Sequence, residues 1–107
     1  MIDKATMLFV SYMERKQNLV IEYNENIWEA VTLYHEEIYP ELIPAETLKA
    51  LPDPLLFITT SYEDDQDQEW IFCIVADNDT SSKWYTAVCS LDGKLVESGI
   101  PLELDLK

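Results

Sequence analysis

The segment EWIFCIVA, residues 69–76, constrains the fold of this chain most, because it is a nearly continuous run of aromatic, β-branched and other apolar residues. Successive side chains of a β-strand point to opposite faces of a sheet, so such a run is apolar on both faces. A strand of this kind suits the centre of a sheet that is covered on both sides. We therefore predict a central strand here, with the second sheet face covered by residues 17–24 or by a partner.

Three further runs have the same strand-like character and are separated by turn residues. They cover residues 55–62, 83–91 and 94–106, and the last is broken near residues 98–101 by a glycine and a proline. Asp92-Gly93 predicts a two-residue hairpin turn, since both positions of a type I′ turn need a positive φ. Because the connections are short, we predict a four-stranded, mainly antiparallel β-meander.

The N-terminal half has helical periodicity instead. We predict a first helix over residues 3–17, a second over residues 27–39 and a short third over residues 44–51, whereas residues 18–24 fit either a strand or a helix. In the second helix, Ile27, Val31, Tyr34 and Ile38 would form a packed stripe opposite Glu29, Thr32 and Glu36.

Together these patterns predict an α+β fold in which N-terminal helices pack on one face of the meander. The 107 residues suit a single domain, 1–107, with residues 1–52 mainly helical and residues 55–107 mainly strands. The apolar stretch MLFVSYM near the N-terminus is too short to span a bilayer and has no small-residue cleavage site. We therefore expect a cytoplasmic protein.

The charge of the chain narrows the choice of partner. The formal net charge is −14, and residues 17–48 contain seven Glu and no Lys or Arg. Binding to nucleic acid or to anionic lipid depends on clustered basic residues, so neither nucleic acid nor a membrane is expected as a partner. A basic protein surface would be attracted by this field. Acidic surfaces also keep proteins soluble, which is the simpler interpretation.

No motif for a metal, a cofactor or catalysis is found in the sequence. Counting an EF-hand loop from Asp65 puts Trp70 at the position that needs glycine, and counting from Asp77 fails in the same way. His35 is the single histidine and fits the boundary of the apolar stripe rather than a metal site. Two glycines cannot form a glycine-rich phosphate loop. We predict no metal, no cofactor and no enzymatic activity.

The two cysteines lie inside apolar strand-like runs. A hairpin about residues 78–82 that pairs Ala76 with Lys83 would place Cys73 opposite Thr86 and Cys89 opposite Trp70. In this register the cysteines are not opposite each other, so we predict two free thiols.

The stretch YEDDQDQEW, residues 62–70, places five carboxylates between two predicted strands, with no compensating basic residue. Tyr62 and Trp70 flank these acids, and aromatic residues within a charged rim often dominate binding, although Trp70 and Trp84 would equally suit the core. The predicted partner-binding residues lie on the second helix and at this turn: Glu25, Glu29, Glu36, Tyr62, Asp64, Asp65 and Asp67.

These observations predict a small protein-binding module that recognises a basic protein by electrostatic and steric occlusion. In size and charge the chain resembles bacterial nuclease-immunity proteins, although it carries no family motif. A concrete form of the prediction is therefore an immunity protein or antitoxin that occludes the basic active site of a nuclease toxin. The alternative is an oligomeric accessory domain whose apolar sheet face forms a homodimer and whose acidic surface is only solubilising. A third alternative is a small-ligand binder or enzyme with a pocket that contains His35.

Overall fold

The computed structural model describes residues 2–19, 27–100 and 102. In chain order, the elements are α1 (Ile2–Lys16), β1 (Glu29–Leu33), a 3-10 turn (His35–Glu37), α2 (Ala45–Lys49), β2 (Leu55–Glu63), β3 (Glu69–Asp77), β4 (Trp84–Leu91) and β5 (Lys94–Ile100). The α+β class, the first helix and the short helix α2 agree with the sequence-based prediction, although α2 lies between strands β1 and β2.

The strands form one antiparallel sheet of five strands in the order β1-β2-β3-β4-β5. The predicted meander and the central position of β3 are confirmed, whereas the predicted count of four strands is wrong. The hairpin between β4 and β5 is also confirmed, since Leu91 pairs with Lys94 and the two turn residues, Asp92 and Gly93, have φ values of 50° and 82°. Positive φ at both positions is the signature of a type I′ turn.

The prediction of a helix over residues 27–39 is wrong, because Glu29–Leu33 forms edge strand β1 and pairs with β2. Ile27, Val31 and Tyr34, which were expected to pack, are exposed. The segment fits both periods: its apolar residues recur at helical spacing, but Val31 and Leu33 also alternate as in a strand. Pairing with β2 decides between the helical and the extended conformation, and this long-range contact cannot be inferred from local periodicity. Within residues 2–19 and 27–52, which the structure describes, the chain is therefore less helical than predicted.

Helix α1 covers one face of the sheet, which we call the helix face. Its buried side chains pack against alternate residues of β3, β4 and β5; the cluster comprises Ala5, Leu8, Phe9, Tyr12, Met13, Trp70, Phe72, Ile74, Ala87, Cys89 and Ile100. The ring centroid of Phe72 lies 5.3 Å from that of Phe9 and 5.6 Å from that of Tyr12. This aromatic cluster fixes the helix on the centre of the sheet.

The opposite face, which we call the second face, is covered at one end by the segment between β1 and β2. Ile38 and Ile43 are buried there against Leu55, Phe57 and other second-face side chains, with Leu48 and Leu51 packed at the edge. The prediction that residues 17–24 or a partner cover this face is corrected in part, because residues 34–51 provide the cover at this end. Residues 20–24 lie outside the described residues.

Both cysteines are free and buried, as predicted. The predicted register is wrong, however, because Ala76 pairs with Trp84 rather than with Lys83, which places Cys73 opposite Val88 and Cys89 opposite Phe72. The cysteine partners are thus two residues from the prediction: one residue comes from the pairing of Ala76 with Trp84, and the other comes from a register shift between Val75 and Ala76. The thiols belong to the cores on opposite faces of the sheet, so they cannot form a disulfide in this fold.

The hydroxyl group of Tyr12 links helix α1 to strand β5. It donates a hydrogen bond to Glu97 Oε1 at 2.9 Å and accepts one from Gln17 Nε2 at 2.9 Å. Burial, together with the hydrogen bond to Glu97, raises the pKa of Tyr12 above its usual range. We expect Tyr12→Phe to lower the free energy of unfolding by about 1 kcal/mol in urea titrations, the usual net value of one hydrogen bond. Tyr34→Phe at an exposed site is the control; an equal loss there would contradict this role of the hydroxyl group.

Candidate functional site

The acidic turn between β2 and β3 is organised from within by one of its own carboxylates. Asp64 is 8% exposed, and its Oδ1 accepts hydrogen bonds from the backbone N–H groups of Gln66 and Gln68, each at 2.9 Å. Its Oδ2 accepts a bond from Trp70 Nε1 at 3.1 Å. The Asp64 carboxylate therefore stabilises the turn from within, whereas the other acidic side chains of the turn are exposed.

This turn lies beside the β4–β5 hairpin at one end of the sheet, as the order of a meander predicts. The N–H of Glu69 donates to Asp92 Oδ1 at 3.0 Å, and the N–H of Asp92 donates to the carbonyl of Glu69 at 2.8 Å. We call this region the acidic end; its exposed carboxylates belong to Glu63, Asp65, Asp67, Glu69 and Asp92. Their backbones are tied to two hairpins, so the charges sit on a fixed frame.

The turn between β3 and β4, at the opposite end, is built by the same device. Asp77 Oδ2 accepts hydrogen bonds from the N–H groups of Asp79 and Thr80 at 3.0 and 2.7 Å, and Oδ1 accepts one from the Tyr85 hydroxyl at 3.0 Å. Each acidic turn therefore uses its leading aspartate as an internal acceptor. Asp79 remains exposed.

Hydrogen bonds to these two aspartates make the stability of the fold depend on pH. The Gln68 N–H lowers the pKa of Asp64, with further help from Trp70 and Gln66, and the Thr80 N–H followed by the Tyr85 hydroxyl lowers the pKa of Asp77. A lowered folded-state pKa stabilises the fold above the unfolded-state pKa of about 3.9, and this contribution is lost as the pH falls through the folded-state value.

We expect the double variant Asp64→Asn/Asp77→Asn to be less stable than the parent at pH 7. We also expect it to lose less stability than the parent when the pH is lowered from 5 to 2. The reason is that the variant lacks the two carboxylates whose pKa is lower in the folded state than in the unfolded state. Thermal unfolding across this range measures both effects. The control is Asp65→Asn/Asp79→Asn, with the same charge change at exposed sites. An equal response of the two double variants would contradict the internal roles of Asp64 and Asp77.

The structure separates the residues that the sequence suggested as partner contacts. Asp65 and Asp67 lie exposed at the acidic end, whereas Glu36 lies in the 3-10 turn near the opposite end, where β1 finishes beside Leu55. Tyr62 is half-buried against the helix-face core. Glu29 is exposed on β1 rather than on a helix, and Glu25 lies outside the described residues.

The flanking aromatic residues have partners inside the molecule. Trp70 is buried in the helix-face core, which supports the core interpretation for this residue. Trp84 is half-buried, lies 5.6 Å from Lys4 Nζ and donates its indole N–H to the carbonyl of Ser81. The Tyr85 hydroxyl group donates a hydrogen bond to Asp77 Oδ1, and the ring centroid of Tyr85 lies 5.7 Å from Lys83 Nζ. Trp70, at least, is not placed to contact a partner.

The uncovered half of the second face contains a groove that the sequence did not indicate. Three concavities of about 390, 220 and 600 Å³ are joined through shared lining residues: Thr59 and Ile71 line the first two, and Leu42 and Ser90 line the last two. We call the whole depression the sheet groove. It extends from Ile27 near β1 to Leu95 on β5, with Tyr39 and Leu42 on its wall.

The sheet groove exists because small side chains alternate with large ones along the strand register. Ile71 pairs with Ser61 on one side and with Ser90 on the other, and Ser90 pairs with Leu95. In the next row of paired residues, Cys73 lies between Thr59 and Val88. The serines are too short to cover Ile71, so an apolar floor remains open to solvent.

Acidic side chains surround this floor. Glu29 and Glu69 line the concavity nearest β1, and Glu41 lines the one nearest β5. Lys94 is the single basic side chain among the described residues that line the groove. Because Glu69 also belongs to the acidic end, the groove and that end form one continuous negative surface.

The two cysteines and the single histidine are held within the fold. Burial raises the pKa of Cys73 to about 12 and is the main cause of a pKa of about 12 for Cys89, so both remain neutral thiols at pH 7. His35 is half-buried in a loop contact, with its Nε2 2.6 Å from the carbonyl oxygen of Pro52 and its backbone N–H donating to Asp53 Oδ1 at 3.0 Å. Within the described residues, no group of three His, Cys, Asp or Glu side chains is arranged to hold a metal ion.

Comparison of the chain with protein-family models, with curated proteins and with solved structures finds no match. In the part of the chain that the structure describes, no helix is long and apolar enough to cross a membrane.

Proposed function

We propose that this chain is a small acidic protein-binding module that recognises a basic protein and acts by occlusion rather than by catalysis. The observation that carries the proposal is the acidic end, where exposed carboxylates are fixed on two joined hairpins in a chain of net charge −14. Charges held on a rigid frame lose little freedom when a partner binds. Fields of this kind also raise the rate of association with an oppositely charged partner.

A nuclease toxin is the concrete partner that we propose, with the chain as its immunity protein or antitoxin. The active site of a nuclease must bind phosphates, so its surface is basic and complementary to a negative one. A rigid acidic surface placed over that site would exclude the nucleic acid both by charge and by volume. The chain would need no catalytic group for this role.

The test is capture from the native cell lysate on immobilised chain, followed by elution with a salt gradient and mass spectrometry. We expect a basic protein in stoichiometric amount, released as salt rises, whose nuclease activity is lost when an equimolar amount of the chain is added. A captured partner that is not basic, or one that keeps its nuclease activity at saturating chain, would contradict the proposal as stated.

The alternative, a homodimer through the second face with a merely solubilising acidic surface, has one observation in its favour. The open floor of the sheet groove and the neighbouring Tyr39 and Leu95 leave apolar surface in contact with water. A two-fold interface would, however, bring the same patch of both copies together. Glu29, Glu41 and Glu69 would then face a surface of like charge, which disfavours the dimer.

A further inference from the structure

We infer that the sheet groove binds an extended segment of the basic partner in which a lysine or arginine alternates with an apolar side chain. This inference rests on the proposed function and specifies the surface and the kind of segment that the partner supplies. The apolar residue would occupy the central concavity, and the basic residue would occupy the acidic concavity beside it.

The central concavity is chemically an apolar side-chain pocket. Its volume is about 220 Å³, and its floor is formed by Ile71, Cys73 and Val88, with Phe57 and Leu42 at its sides. The hydroxyl groups of Thr59 and Ser90 lie at its margin. A pocket of this size suits one aliphatic side chain, and the raised pKa of Cys73 keeps a charge away from its floor.

The neighbouring concavity, about 390 Å³ in volume, selects for positive charge. Glu29 and Glu69 line it from β1 and β3, with Ser61 on β2 between them, and the exposed Ile27 forms an apolar side. The methylene groups of a lysine or arginine can pack on such a side while the charged end reaches the carboxylates. An uncharged or acidic side chain would leave these carboxylates without a partner.

The spacing of the two concavities favours an extended segment. They share Thr59 and Ile71, which lie on the adjacent strands β2 and β3. In an extended chain, side chains two residues apart point the same way and lie roughly 7 Å apart, about one and a half times the strand spacing of about 4.8 Å. Residues i and i+2 of the segment can therefore reach both concavities together.

Charge complementarity favours a basic segment of the partner over a second copy of the chain as the ligand of the sheet groove. The described side chains that line the groove include Glu29, Glu41 and Glu69 against Lys94 alone. A second copy would bring the same acidic lining to the interface, whereas a basic segment neutralises it.

The test uses two synthetic peptide probes titrated into the isotopically labelled full chain and followed by NMR. One probe repeats lysine, serine, leucine and serine, and the other has serine in place of leucine. We expect chemical-shift changes at Thr59, Ile71 and Ser90 with the leucine probe, and binding of the serine probe that is about tenfold weaker, the effect of losing one buried aliphatic side chain.

Two pairs of variants separate the groove from charge in general. Ser90→Arg fills the groove and should weaken binding of the leucine probe by about tenfold or more, whereas Ser82→Arg, exposed in the turn at the opposite end, should weaken it much less. Glu29→Gln/Glu69→Gln should weaken it several-fold at low salt. Glu14→Gln/Asp79→Asn, which makes the same charge change at exposed sites outside the groove, should not. Thermal unfolding shows that each variant is folded.

The outcomes distinguish this inference from the proposed function. Salt-sensitive binding of both probes with equal affinity, or shifts confined to residues 64–68, would overturn the groove while leaving recognition of a basic partner intact. Failure of both probes to bind at low salt would overturn both. A dimer in analytical ultracentrifugation that Ser90→Arg dissociates would assign the groove to a second copy instead.

Discussion

Replacing Phe72 with alanine is expected to lower the free energy of unfolding by about 3–5 kcal/mol. Phe72 lies on central strand β3, is fully buried and contacts the rings of Phe9 and Tyr12 on helix α1. Its removal leaves a cavity between the helix and the sheet, where surrounding side chains from both are fixed by their own packing. Urea unfolding followed by circular dichroism measures the loss.

The adjacent residue provides a matched control for this prediction. Ile71 points to the second face, where it is half-buried on the floor of the sheet groove. We expect Ile71→Ala to cost only about 1 kcal/mol, because the side chain is already partly in contact with water and leaves no closed cavity. Equal losses for the two variants would contradict the assignment of one closed and one open side to β3.

Reversal of charge at the acidic end is expected to slow association with the basic partner by about tenfold or more at low salt, with little effect at high salt. The variant Glu63→Lys/Asp65→Lys suits this test because both side chains are exposed. Glu63 is paired directly with Glu69, so a lysine at position 63 replaces a repulsive pair with an attractive one and should not weaken the fold. Stopped-flow association with the captured partner measures the rate.

Asp64 and Asp67 are unsuitable for charge reversal. Reversal at Asp64 would remove the acceptor that holds the turn, and lysine at Asp67 would strain a backbone with φ of 61°. Glu14→Lys/Asp79→Lys makes the same charge change at exposed sites away from the acidic end and is the control. If both variants slow association equally, net charge matters rather than the acidic end.

The strands after residue 54 could be predicted from the sequence because their signals are local. Alternation, β-branched and aromatic residues and the Asp92-Gly93 turn define each hairpin without reference to the rest of the chain. Strand β1 could not be distinguished from a helix in this way, since Val31 fits both periods and only pairing with Phe57 on β2 decides its conformation.

The candidate site was predictable only in part. An aspartate at the start of a turn commonly accepts hydrogen bonds from the backbone that follows, so the internal role of Asp64 could have been inferred from its position. The sheet groove could not. The groove depends on the register that places Ile71 between Ser61 and Ser90. It also depends on residues 34–51 covering only one end of the second face, which leaves the other half open.

The most direct test of recognition by charge is the dissociation constant of the chain with its captured partner, measured by titration calorimetry over a series of salt concentrations. We expect one-to-one binding that weakens steeply and continuously as salt rises, because the carboxylates of the acidic end meet basic groups of the partner. A dissociation constant that stays the same across the series would contradict the account and would show that these carboxylates serve only to keep the surface in water.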